Sequence, residues 1–510
     1  MAGASADVRT ALAESGALGA TVRQIARRLG VGVASVDSDL RGLASRGEVV
    51  RMGRGLWVLL DFNRLELRED FTEPVVYAER FALEEGVPLG TYHGPITFRS
   101  NEGLPFHRWW PYVQGYSAEF VSNLLRSEGM RRGSTVLDPF AGSGTSLIEA
   151  QRIGARAIGY ELMAPAALAA RVKTDIDLAP GDLERAAAVL LRKAQHAPMA
   201  ALPFLRETRR QFSPEALAQL RRIRSVLPAA DARGVTDALR LAFAATLVPV
   251  SRLRRSPCLG YDPVDRERPL PFVQYAGVIR TMVEDLRARA RSSESWGPPA
   301  EVRSGDSRSI DLPAQSVDLA ITSPPYVNGL DYVMNYKLDL AWLGYVNSYS
   351  ELSALRIAEL ACDNLPRTAT RDYLGTNRTP DPWLEEILPR IRENVARKGT
   401  YRRNDMHGVV HRYFRDLADV LRGVYRALRP GGRFVLVVGD SLLAGTYVPG
   451  DLLTARIGRS LGFRIESVDV ARARRSGQRR QFLLRESIVT LMRPKGRDPQ
   501  GKRRWKQTLR

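Results

Sequence analysis

Cysteine is almost missing from this 510-residue chain: only Cys258 and Cys362 occur. Two thiols exclude a disulfide framework and a cysteine-rich zinc site, and they fit a reducing compartment. Histidine is also scarce. None of His93, His107, His196, His407 and His411 stands at metal-ligand spacing with cysteine or acids on a shared face. His407 and His411 lie four apart, but Gly408 between them weakens a helical pairing. No apolar run approaches the ~18 residues of a membrane span. The opening MAGASADVRTALAES lacks the apolar core of a signal peptide. The expectation is a cytoplasmic protein with no metal and no membrane partner.

What is present is an ordinary globular mixture, 44% apolar and 26% charged, with a formal charge of +20. A surplus of that size points to a polyanionic partner, most simply nucleic acid. From Ala471 to Arg510 fourteen Lys or Arg stand against Glu486 and Asp498, so +12 of the +20 lies there. Residues 494–510 are expected to be a basic tail that contacts phosphates.

Patterning divides the rest of the chain. Residues 1–60 alternate helix, turn, helix and hairpin, with Thr21 as a cap and a second helix over Ser35–Ala44, which resembles a winged helix-turn-helix. That second helix carries Asp37 and Asp39 beside one Arg41, a thin basis for DNA contact, and protein contact is an equal alternative. Residues 61–90 read as a connector. Residues 91–180 contain a β-α-β unit, 181–300 an Ala-, Leu- and Arg-rich helical insertion, and 301–493 a return to the α/β pattern with a charged excursion at 345–405. The fold expected is α/β: one doubly wound sheet with a helical insertion, plus the N-terminal unit.

Two motifs carry chemistry. In DPFAGSGT (Asp138–Thr145), Gly142 and Gly144 allow a tight turn and close backbone approach to a ligand after the first core strand. Neither the P-loop lysine nor the G-x-G-x-x-G spacing of a dinucleotide site is there. Glu161 ends the next strand, where an acid can accept from both hydroxyls of a ribose. The second motif is TSPPY (Thr322–Tyr326), after the apolar strand VDLAI. Consecutive prolines lock φ and remove backbone donors. They leave an acceptor-rich pocket beside an aromatic ring, suited to the exocyclic amine of a flat base.

Together these motifs resemble the amino-methylating DNA methyltransferases, which use S-adenosylmethionine to methylate cytosine N4 or adenine N6. The resemblance covers roughly 91–175 and 300–493 and implies a class I methyltransferase-like sheet. It also implies a cofactor site of Asp138, Phe140, Gly142, Gly144, Thr145, Glu161 and Asp306, with a helix around Tyr116–Phe120 at the methionine end. The catalytic set implied is Ser323, Pro324, Pro325 and Tyr326. The Ser323 hydroxyl and the Pro324 carbonyl would accept from the amine and localise its lone pair on nitrogen for attack on the sulfonium methyl, with Tyr326 stacked on the flipped base. Ser-Pro-Pro-Tyr favours cytosine N4, although the glycine motif precedes it here, whereas many cytosine-N4 enzymes show the reverse order. The partner implied is double-stranded DNA, with a separate restriction or defence subunit as a candidate.

Alternatives remain at this stage. Adenine-N6 methylation keeps the mechanism, RNA amino-methylases share related motifs, and a non-enzymatic DNA-binding regulator is the remotest. Methylation at cytosine C5 is rejected, because Cys258 follows SRLRRSP in the insertion and not a core strand. Ser251–Pro257 is a basic turn for which phosphate contact and a plain surface loop are equal readings, and Asp331, Tyr332 and Lys337 are placed on a helix bordering the base pocket.

Overall fold

The computed structural model describes residues 2–13, 20–45, 49–51, 56–59, 72–112, 114–229, 234–255, 258–264, 266–292, 296–327, 329, 331–360, 370, 378–398, 403–475 and 483–496. Cys362 and most of the expected basic tail, from 497 onward, lie outside the described residues.

In the N-terminal unit, helices Ala2–Ala13, Val22–Leu29 and Val33–Ser45 accompany a small sheet of β1 (Ala20–Thr21), β2 (Val49–Arg51) and β3 (Leu56–Leu59) in the order β1-β3-β2. Thr21 closes a capping box with Gln24, satisfying two backbone donors at the start of helix Val22–Leu29. Val8, Leu12, Ile25, Val36, Leu40 and Trp57 form its core.

The main sheet has eight strands: β4 (Gly90–Thr91), β5 (Thr135–Asp138), β6 (Arg156–Glu161), β9 (Glu301–Ser304), β10 (Val317–Thr322), β11 (Leu428–Gly439), β14 (Arg464–Arg475) and β15 (Leu483–Met492). Their order is β4-β14-β15-β11-β10-β5-β6-β9. Every pairing is parallel except those of β15, which runs antiparallel between β11 and β14. Strands such as VLD in β5 and LAIT in β10 read as unbroken apolar runs because helices cover both sheet faces, so there is no solvent side to alternate with. From β5 the chain winds outward to β6 and β9, then crosses back to β10 on the other side. The carboxyl ends of β5 and β10 thus flank the switch point, where open α/β sheets place ligands. This mixed, mostly parallel sheet with helices on both faces is the class I methyltransferase-like architecture expected.

Between β6 and β9 lie the helices Pro180–His196, Pro214–Val226, Gly234–Leu247 and Pro271–Arg291, and a two-stranded hairpin of β7 (Leu253–Arg255) and β8 (Leu259–Tyr261). Three of these helices begin on proline, whose fixed φ suits the first turn and whose missing N–H leaves one fewer donor to satisfy. Their apolar faces share one core with Trp109, Trp110 and Trp342.

Two stretches pack more tightly than their charge suggested. Within 61–90, helix Thr72–Glu85 buries Tyr77 and Phe81 in the main core. Within the charged 345–405, helix Pro382–Lys398 buries Trp383, Leu384, Ile387 and Ile391. These four lie on one helical face, and the acids and arginines occupy the opposite one. The two helices meet through Tyr77 and Trp383, whose rings lie 5.2 Å apart, and through Arg80, bonded to both Glu386 oxygens at 2.7 and 2.9 Å. Beyond β11, β12 (Ser441–Leu443) and β13 (Thr446–Val448) form a hairpin over a buried charge network. Its centre is Arg485 of β15, held by Asp440 at 3.1 Å and Asp451 at 3.2 Å. No described helix is long and apolar enough to cross a membrane.

Candidate active site

A cavity opens at the carboxyl ends of β5, β6, β9 and β10. Of the residues expected in the site, Phe140, Gly142, Thr145, Glu161, Asp306, Ser323 and Pro325 line it. Asp138, Gly144, Pro324 and Tyr326 do not.

Asp138 is buried beneath the cavity and joins its two halves. One carboxylate oxygen accepts from the Tyr116 hydroxyl at 2.6 Å and from Ser146. The other accepts from the Phe140 N–H at 3.0 Å and the Thr322 hydroxyl at 2.6 Å. The acid that ends β5 therefore fixes the residue immediately before Ser323. Burial pushes the Asp138 carboxyl up, opposed by these four donors. Gly144, at φ +88°, begins helix Thr145–Arg152, and a Cβ there would stand 3.0 Å from the Ala170 Cα. Gly144→Ala is therefore expected to cost about 1–3 kcal/mol, seen as a lower midpoint in urea with an unchanged slope. Gly142, at φ +53°, lets the ring of Tyr112 lie against the turn, where a Cβ would meet it at 2.8 Å.

Glu161 accepts from the backbone N–H groups of Gly142 (2.8 Å) and Met163 (2.7 Å). Burial nonetheless pushes its carboxyl up to about 7. Asp306, after β9, caps the short turn Ser307–Ser309 and is gripped by the Arg308 guanidinium, whose Nε lies 2.9 and 2.8 Å from its two oxygens. Arg308 reaches Asp416 as well, at 3.0 Å, so two acids fix its orientation.

Ser323 and Pro325 face the cavity from the end of β10. Tyr326 turns aside: its hydroxyl donates to Glu486 at 2.7 Å, and Arg472 holds the other oxygen of Glu486. Side chains alternate across a strand, so Glu486 faces this tyrosine while its neighbours Arg485 and Ser487 enter the buried Asp440–Asp451 network.

Several lining residues went unforeseen. Tyr112 stacks on Tyr336 with ring centres 5.5 Å apart, and Gln114 accepts from the Tyr336 hydroxyl at 2.7 Å. Glu359, at the end of helix Tyr349–Ala358, is buried at the cavity edge, and burial with the nearby acids Asp331 and Glu161 raises its carboxyl well above the ordinary range. No motif marks these positions, because each enters the cavity from an element remote in sequence. Tyr332 also lines the cavity, as its place near the base pocket implied. His107 does not: it is buried against Glu149 at 3.0 Å. Among the described residues no group of three or more His, Cys, Asp or Glu is placed to hold a metal.

Strand order, glycine turn and cavity together define a class I methyltransferase-like site at the switch point of the sheet. The family model for N6/N4 methyltransferases, described as a DNA methylase, matches residues 115–170, the stretch from Tyr116 through the glycine turn to Glu161. The chain is 24% identical over 452 residues to the type II methyltransferase M.BsoBI of Geobacillus stearothermophilus, covering 78% of this chain and 88% of that protein. It is 25% identical over 405 residues to the type II methyltransferase M.AvaI of Anabaena variabilis, covering 73% and 82%. Among solved structures, TrmN from Thermus thermophilus matches over 76% of this chain and 52% of its own, at 12% identity and a TM-score of 0.26, an overlap too loose to carry an argument. The chain thus resembles the amino-methylating DNA methyltransferases in sequence, as its two motifs implied.

Proposed function

We propose that this protein is a site-specific DNA methyltransferase that methylates the exocyclic amine of a flipped base, cytosine N4 ahead of adenine N6. The observation that carries this is the sharing of one cavity by Ser323, Pro325, Glu161 and Asp306. An acceptor set for an amine and two acids for a nucleoside face the same space. Its walls, which mix Phe140, Met163 and Leu360 with a few polar groups, suit a nucleoside cofactor. The similarity to two type II methyltransferases supports DNA as the substrate; a separate restriction or defence subunit belongs to the proposal.

The residues present fit S-adenosylmethionine. Glu161 would accept from the ribose hydroxyls, Asp306 from the adenine amine, and the turn from Phe140 to Thr145 would wrap the methionine end. When bound, the cofactor supplies a sulfonium methyl; as its C–S bond breaks, a C–N bond forms to the target amine, which releases one proton to solvent. Ser323 and the Pro324 carbonyl accept the amine's N–H groups and raise electron density on nitrogen. Pro324 and Pro325 hold these acceptors rigid, so little reorganisation accompanies the reaction. Tyr326, turned aside to Glu486 by its hydroxyl, stands outside the cavity, and its stacking on the flipped base rests on the resemblance alone. The division into an N-terminal winged helix-turn-helix, two core halves, a helical insertion and a basic tail belongs to this proposal.

A pH dependence follows from Glu161. Its carboxyl is raised in the folded protein, so below about 7 it is protonated, and binding that needs the carboxylate must release a proton. The dissociation constant for S-adenosylmethionine is therefore expected to fall about tenfold per pH unit up to that value and then level off. Calorimetry across that range checks this, and Glu161→Gln should flatten the profile.

The reading itself is tested by mass spectrometry of nucleosides from unmethylated DNA incubated with the protein and labelled S-adenosylmethionine. N4-methylcytosine supports it. N6-methyladenine keeps the mechanism and overturns the base assignment from Ser323. No labelled nucleoside overturns the stand-alone DNA methylase and directs attention to RNA.

A further inference from the structure

The site needs something to hold the polynucleotide while one base enters the cavity. Beside the cavity mouth, the hairpin β7–β8 packs along the short helix Thr208–Gln211: the Arg252 N–H donates to the Gln211 carbonyl at 2.8 Å, and the Arg252 guanidinium reaches the Arg210 carbonyl at 3.3 Å. This contact gathers Arg206, Arg209, Arg210, Arg252 and Arg254 on one exposed surface. The acid among them is Glu207, 3.8 Å from Arg210 and exposed like it, while the nearby Asp262 is occupied by Arg266 and Arg268. Among the described residues no carboxylate pairs with Arg209, Arg252 or Arg254. Two half-exposed aromatic rings are interleaved: Arg210 lies 5.5 Å from the Tyr261 ring and Arg206 5.5 Å from Tyr349.

Two anchors bind this surface to the cavity rim. Arg255, next to Arg254, donates to the Asn335 carbonyl at 3.2 Å and pairs with the buried Asp339. Asn335 ends the helix begun by Tyr332, which lines the cavity. Tyr349 begins the helix whose far end, Ala358 and Glu359, also lines it, and Arg356 of that helix pairs with Asp331 at 2.9 Å. Of the basic turn Ser251–Pro257, Arg255 is thus a buried anchor, while Arg252 and Arg254 face solvent.

We infer that the β7–β8 hairpin with helix Thr208–Gln211 is the surface that grips the sugar–phosphate backbone of the duplex next to the target base, a task the N-terminal helix Val33–Ser45 is poorly equipped for, since its Arg41 is paired with Asp37. Arginines on short elements present planar donors to phosphate oxygens, and the two tyrosines offer faces to sugars or to an unstacked base. The inference rests on DNA being the substrate.

The test is the salt dependence of binding to a fluorescent duplex of mixed sequence by the full chain and by the triple variant Arg209→Gln, Arg252→Gln, Arg254→Gln. Each lost phosphate contact lowers the slope of log K against log salt by about 0.9, so a drop of about 2–3 is expected, with unchanged S-adenosylmethionine affinity reporting an intact cavity. The triple Lys variant, which keeps the charge, should retain most of the slope. If the Gln triple loses cofactor binding, the single reversal Arg254→Glu replaces it, with a loss of slope again expected. A variant slope equal to that of the full chain overturns this surface and leaves the proposed function standing. A full chain with no salt-dependent duplex binding overturns both.

Discussion

Ser323→Ala is expected to lower the single-turnover rate of methyl transfer about 100- to 1,000-fold, the usual loss when one preorganised group is withdrawn from a developing charge. S-adenosylmethionine affinity should stay as it is, because Ser323 stands at the end of β10, whereas of the acids expected to hold the cofactor Glu161 ends β6 and Asp306 follows β9. The hydroxyl is small and lines a cavity, so its loss leaves neither a buried void nor an orphaned donor. Rapid-quench kinetics with labelled cofactor on a methylatable duplex reads the rate, and calorimetry the affinity. A rate within a few-fold of the unaltered protein would remove Ser323 from the chemistry and leave the Pro324 carbonyl as the sole acceptor.

Asp138→Ala should act on the fold. It strips the acceptor from Tyr116, Ser146, Thr322 and the Phe140 N–H at once, all in a buried place. Each buried donor left without a partner costs about 1–3 kcal/mol, so losing this acceptor removes a large fraction of the ~5–15 kcal/mol that holds a typical domain together. Urea unfolding measures it. Because Thr322 precedes Ser323, the surviving folded fraction should also lose methyl transfer. Asp138→Asn keeps an acceptor oxygen and should recover part of the stability. Loss of activity in the Ala variant with an unchanged unfolding midpoint would mean that the acid touches the ligand directly and is no brace.

The residues that could be read in advance are those whose chemistry is local. The glycine turn between Asp138 and Thr145 declares itself because only glycine takes φ of +53° and +88° without strain. Ser323-Pro324-Pro325 does so because two prolines after a buried strand leave acceptors and no donors. Helix Pro382–Lys398 shows the converse: dense acids and arginines hide an apolar stripe that only a helical projection recovers. Tyr112, Gln114 and Glu359 left no signal at all, since an ordinary residue becomes a cavity wall only through the company it keeps.

The α/β alternation, both motifs and the excess of positive charge are legible in the chain before it folds, each a property of neighbouring residues. That Asp138 lies beneath the cavity, that Tyr326 is tied to Glu486, and that arginines from two separate segments meet follows from the folded chain. Those facts rest on contacts between residues far apart in the chain. Strand order creates such contacts by bringing the ends of β5 and β10 side by side, and no local pattern of residues records which strands will pair.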